Sequence, residues 1–199
     1  MRHTSYVSPT RRDVLKRIGA IGGAGLSGVT LASGTAVAKP TVDWEPADSS
    51  NFTGGNRGAD DINWIIVHVV QGLASSAVNW FQNPDANVSA HYTVAKNGHR
   101  YQSVSDMNIA WHAGNWDYNQ QSIGIEHGGY VSESFTADQY QSSAALTSWL
   151  CEQYNVPKQH PADPATAGVI GHAQVPGSTH TDPGANWNWG HYMDLVRSR

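Results

Sequence analysis

The sequence predicts a single α/β domain with a mixed central β-sheet flanked by helices. Three observations carry this expectation. Short runs such as "INWIIVHVV" are apolar on both faces and read as buried strands. Helix-forming stretches alternate with them along the chain, the pattern of a layered α/β fold. Asn97-Gly98 between two strand-like runs is a strong short hairpin signal, and it adds an antiparallel pair to the sheet.

The elements follow in order. Residues 1–38 carry Arg11-Arg12, then a Gly-rich, weakly apolar run, then Ala36-Val37-Ala38. A charged region, a weak apolar region and a small-x-small site read as a cleavable export signal of the twin-arginine type. Glycines interrupt the run, which falls short of the roughly 20 apolar residues needed to span a bilayer. The expectation is therefore a secreted protein with no stable membrane anchor after cleavage. Residues 39–58 are rich in Pro, Gly, Ser and Asn and read as an extended lead-in. Residues 59–199 read as one folded domain. Ile62–Val70 is a central strand, and "ASSAVNWFQN" is a short helix. "SAHYTVAKNGHRYQSV" is the hairpin, and "QSIGIEHGG" is a further strand. A helix follows from about Thr136 to Asn155, with Leu146, Leu150 and Tyr154 at i, i+4, i+8 as a core-facing stripe. "AGVIGHAQV" is another strand, and "NWNWGHYMDLVR" closes the chain as a helix.

Composition limits the function classes. Residues 1–38 hold five of the 12 basic and one of the 16 acidic residues, so the chain without them has a net charge of −8. That balance argues against nucleic acid as a partner. Cys151 is the single cysteine, which excludes an intrachain disulfide, and its place in the helix reads as a small buried hydrophobe. Eight tryptophans and eight tyrosines beside three phenylalanines are amphipathic aromatics, some for the core and some for a groove that binds sugars or peptides.

Chemistry concentrates where apolar strands end in polar residues. His68 lies inside "IIVHVV" with no polar neighbour, and His172 follows "GVIG". A buried imidazole needs a hydrogen-bond partner or a metal. Either histidine alone is satisfied by a backbone carbonyl. Together, aimed into one groove, they are two legs of a metal site. In "HTD" an extended backbone puts His180 and Asp182 on one side, and Pro183 biases Asp182 toward that conformation. Two histidines and a carboxylate, with a fourth place for water, is the pattern of catalytic zinc. Spacing leaves open whether His180 or Asp182 is the third ligand. Glu126 ends "SIGIE", where a buried carboxylate suits a general acid/base beside a metal-activated water, or an ordinary ion pair. "WHAG" adds Trp111 and His112, to hold substrate or to complete a turn.

Five motifs in order, "IIVHVVQG", "SAHYTVAKNGHRYQ", "AWHAGNWDYN", "SIGIEHGG" and "GHAQVPGSTHTDPG", resemble the zinc-dependent N-acetylmuramoyl-L-alanine amidases. This is the group shared with phage amidase lysozymes and peptidoglycan recognition proteins, and the resemblance covers about Ile62 to Tyr192. It implies the peptidoglycan recognition protein-like amidase fold and Zn2+ held by His68, His172 and Asp182. It also implies Glu126 as catalytic acid/base. Many members carry a lysine two residues before the third ligand to stabilise the oxyanion. Here His180 stands in that place, which bears on the pH optimum. Tyr92 of "HY" assists catalysis in some members; here it is assigned with His112 and Trp111 to the substrate groove, against a packing role. The implied reaction is hydrolysis of the amide between N-acetylmuramic acid and L-alanine, with peptidoglycan or a muropeptide as substrate. Two alternatives accompany it. One is a recognition module that binds wall fragments without cutting them. The other is a zinc hydrolase of another acyl-peptide amide.

Overall fold

The computed structural model describes residues 38–55 and 57–199. The export signal expected at 1–38 lies outside the described residues but for Ala38. Eight strands and four α-helices follow in chain order among the described residues. The strands are β1 (Asp43–Trp44), β2 (Phe52–Thr53), β3 (Trp64–Val69), β4 (Tyr92–Val94), β5 (Arg100–Gln102), β6 (Ile109–Ala110), β7 (Ser122–His127) and β8 (Gly168–Gly171). The helices are α1 (Ala74–Phe81), α2 (Trp116–Gln120), α3 (Ala137–Tyr154) and α4 (Trp189–Arg197).

Six strands make one mixed sheet in the order β1-β5-β4-β7-β3-β8. Only β4 and β5 run antiparallel, and they are the predicted hairpin. Gly98 takes φ +82° at its tip, and a Cβ there would also meet the Asp138 carbonyl at 3.0 Å. β3 is the central strand, parallel to β7 on one side and β8 on the other, and all six of its residues are buried. This accounts for a run that is apolar on both faces.

Alternation along the strands sorts the two faces. Ile65 and Val67 of β3, Ile123 and Ile125 of β7, Tyr92 and Val94 of β4 and Val169 of β8 pack against α3 and α4. The α3 stripe meets them with Tyr140, Leu146, Leu150 and Tyr154. Cys151 is 2% exposed there, and burial pushes its thiol up to about 12, so it is an inert core residue. The other face carries Trp64, Ile66 and Ile170, with Ala113, Tyr118 and Val175. On that face, period two brings up His68 after Ile66, and the register sets Glu126 beside His68. The site therefore lies at the carboxyl ends of parallel strands, as ligand sites in open α/β sheets do.

The lead-in differs from the expectation. It is not simply extended: β1 joins the edge of the main sheet, a 3-10 turn spans Ser49–Asn51, and β2 pairs with β6 in a second, two-stranded sheet. Arg57 explains why this segment stays in place. Its guanidinium is buried and donates to the carbonyl oxygens of Asp106, Asn119, Gln120 and Ser122. No helix among the described residues is long and apolar enough to cross a membrane.

Candidate metal centre and cleft

β3 delivers His68 from the sheet, and β8 ends at Gly171 so that His172 opens a short 3-10 turn. The third arm comes from the loop beyond. Gly171 permits its approach, because a Cβ there would lie 2.7 Å from Pro183 Cδ. The Asp182 carbonyl then accepts from the Ala173 N–H at 2.9 Å, and the Val69 N–H donates to Asp182 Oδ2 at 3.2 Å. His68 Nδ1 lies 3.6 Å from Asp182 Oδ2, and His172 Nδ1 lies 3.2 Å from Asp182 Oδ1. All three residues are buried, and their candidate donor atoms fall within 4.8 Å of one another.

This donor set fits zinc. Ligand atoms 2.0–2.1 Å from zinc at tetrahedral angles stand about 3.3 Å apart, close to these separations. The charge fits as well. Burial pushes His68 down to about 4, so it is neutral at pH 7. Burial alone would raise the Asp182 carboxyl, but the neighbouring His172 and His68 outweigh it and hold the group well below the usual carboxylate range. An ionised carboxylate buried beside imidazoles is a negative charge that a dication compensates.

Glu126 sits beside this cluster in the wall of a cleft of about 720 Å³, which His68, His172 and Asp182 also line. The residue is half-buried, and its Oε2 is buried without a hydrogen-bond partner. Burial, and then the Asp182 charge, push its carboxyl up to about 8. Such a carboxyl can carry a proton near neutral pH, as a general acid/base must. His180 stands exposed at the rim, stacked on His172 with ring centroids 4.1 Å apart. Its Nδ1 is 3.8 Å from Asp182 Oδ1, too far for a hydrogen bond, so a ring N–H is left for another partner. Trp111 lines the cleft half-buried, its indole N–H held by Thr53 Oγ1 at 2.9 Å.

Two expected site residues are placed otherwise. Tyr92 points to the α3 face, is fully buried, and donates its hydroxyl to Asp106 Oδ1 at 2.7 Å. Strand alternation sends it away from the cleft, so it does not touch substrate there. His112 does reach the cleft wall, but both ring nitrogens are taken by the protein: Nδ1 by His68 Nε2 at 2.9 Å and Nε2 by Ser122 Oγ at 3.3 Å. It has no ring nitrogen left for substrate. Ser122, Gly124 and Asn119, which surround His112, went unread in the sequence. The glycine of "SIGIE" was the available signal, since a strand interior disfavours glycine unless something approaches closely.

Residues 58–185 match the family model described as N-acetylmuramoyl-L-alanine amidase. The chain belongs to this amidase family. A relative from Achromobacter lyticus, N-acetylmuramoyl-L-alanine amidase A, is 34% identical over 167 residues, 77% of this chain and 92% of that one. The amidase-family enzyme 1,6-anhydro-N-acetylmuramyl-L-alanine amidase AmpD of Citrobacter freundii is 35% identical over 116 residues, 55% of this chain and 57% of that one. In three dimensions the Staphylococcus aureus hydrolase AmiA, solved in complex with its ligand, superposes with a TM-score of 0.65. It is 16% identical and covers 80% of this chain and 82% of that one, which shows that the amidase-family fold is shared.

Proposed function

We propose that this chain is an exported, zinc-dependent N-acetylmuramoyl-L-alanine amidase that cleaves the amide between N-acetylmuramic acid and L-alanine in peptidoglycan. Membership of the amidase family supports the reaction class and the substrate. The observation that carries the mechanism is the buried His68–His172–Asp182 cluster on the floor of a cleft that Glu126 also lines. The paired arginines and small-residue site within 1–38 support export.

His68, His172 and Asp182 would hold zinc, which would supply a Lewis acid for the scissile carbonyl and a water of pKa near 7. Glu126 takes the water proton at its carboxylate and returns it to the departing alanine nitrogen. His180, at the rim, donates a ring N–H to the carbonyl oxygen as that oxygen gains charge. Trp111 offers an apolar wall against which substrate rests. Asp182 is present, whereas a recognition module that binds without cutting is expected to lack its third donor.

The test uses the metal-stripped chain and Glu126→Ala, with release of L-alanine amino termini from muropeptides as readout. Activity that returns with zinc in the wild type, and stays at least ~10²-fold lower in the variant, supports the reading. Zinc bound by both with turnover by neither sinks it and favours the binding module. Turnover of other acyl-peptides alone moves the substrate elsewhere.

A further inference from the structure

His112 has no ring nitrogen to spare for substrate, yet the structure invests heavily in placing it. Its backbone N–H and that of Ala113 both donate to Asn119 Oδ1, at 3.1 and 2.8 Å. Its ring lies flush against β7 at Gly124, where a Cβ would meet His112 Cγ at 2.6 Å and Nδ1 at 2.7 Å. Any other residue at 124 would displace the ring.

The hydrogen bonds around the ring have one consistent direction. Ser122 Oγ lies 2.5 Å from the Tyr118 carbonyl oxygen, which can only accept, so the hydroxyl proton goes there. Ser122 Oγ can then only accept from His112, so the His112 Nε2 carries hydrogen. A neutral imidazole has one N–H, so His112 Nδ1 is a lone pair and accepts from His68 Nε2–H. His68, in turn, is left with a lone pair on Nδ1, the nitrogen that faces Asp182.

We propose that His112 is a positioning residue: with Ser122 and the Tyr118 carbonyl it forms a one-way relay that fixes the ring and tautomer of His68 so that Nδ1 is presented to the metal. The inference rests on the proposed reading of His68 as a metal ligand. An imidazole thus does for His68 what a carboxylate or a backbone carbonyl does for most metal-binding histidines. His172 has no equivalent, since its Nε2 is buried with no protein partner among the described residues.

The experiment has two arms. In the first, zinc-free, ¹⁵N-histidine-labelled wild type is examined by long-range ¹H–¹⁵N correlation, with His112 assigned from the signal lost in His112→Asn. The relay expects His112 and His68 both as Nε2–H tautomers; a Nδ1–H tautomer at His112 overturns it. In the second, zinc affinity is measured by competition with a chromogenic chelator. His112→Leu, which removes the acceptor, is expected to bind zinc about 10- to 100-fold more weakly, while His112→Asn, with an amide oxygen where Nδ1 sits, stays well inside that loss. Equal affinity for Leu and wild type overturns the proposal, and so does equal weakening in Leu and Asn, which would mean packing alone. Should His112→Leu fail to fold, the wild-type tautomer decides. Folded wild type that binds no zinc sinks the metal reading itself, and does so without recourse to any variant.

Discussion

Acid should unfold the zinc-free protein through a histidine that takes no part in the proposed chemistry. His127 follows Glu126 but points to the other face of the sheet, fully buried. Its Nδ1–H donates to the His68 carbonyl at 2.9 Å, and its Nε2 accepts from Ser143 Oγ at 2.7 Å. Ser143 Oγ also meets the Tyr192 hydroxyl at 2.8 Å, which ties β3, α3 and α4 together through one neutral ring. Burial pushes His127 from 6.5 down to about 4. Between those values the unfolded chain binds the proton and the folded chain does not, so stability rises with pH across this window. The contribution is complete above pH 6.5 and is lost as pH falls toward 4. Each pH unit of that window is worth about 1.4 kcal/mol, so His127 alone accounts for about 3 kcal/mol. His68, His91 and His112 are lowered by burial as well and steepen the fall. Urea unfolding at pH 7.5, 6.5, 5.5 and 4.5 in chelator measures it. The slope for His127→Gln should be shallower than wild type by roughly one proton. Identical slopes, or a wild type that gains stability on acidification, would refute the reasoning.

Two further outcomes are expected. Gly171→Ala forces a Cβ to within 2.7 Å of Pro183 Cδ and 3.3 Å of Trp189 Cζ2, and should cost about 1–3 kcal/mol, read as a Tm several degrees lower by calorimetry. The same push on the Asp182–Pro183 segment should weaken zinc binding, and an unchanged Tm with unchanged affinity would contradict the packing described. His180→Ala should lower kcat about 10²-fold while leaving zinc affinity alone, because the ring lies beyond hydrogen-bond range of Asp182. Lost zinc binding in that variant would instead make His180 a ligand.

How far the sequence could be read depended on length and on parity. β3, β7, β8 and α3 have enough residues to show a pattern, and His68, His172 and Glu126 stand out because each interrupts an apolar strand end. β1, β2 and β6 have two residues each, too few for any periodicity, and α2 has five. Their pairing is decided by distant partners, above all by Arg57, which in a Gly- and Asn-rich stretch resembles an ordinary loop residue. Tyr92 illustrates parity. One step along β4 separates the site face from the core face, and a motif without a register does not say which residue faces which way. The Tyr92 face is in effect chosen by Asp106, whose carboxylate accepts from Tyr92, Gln102 and Tyr154. His112 was visible as a site residue, but its role was not, since it depends on the packing of its ring against Ser122 and Gly124 of β7.

Arg57 also sets how much of the N-terminal side the fold can lose. Trimming that stops within β1 removes a two-residue edge pairing and contacts of Lys39, Thr41 and Asp43 with Gln102, Arg100 and His99, all at the edge of the sheet. A cut beyond Arg57 takes the donor from the buried carbonyls of Asp106, Asn119 and Ser122, and each such loss costs about 1–3 kcal/mol. Asn119 and Ser122 are the residues that hold and orient His112. Proteases nibbling from that end thus meet a yielding fringe and then an abrupt limit, and the limit is wired through His112 to His68.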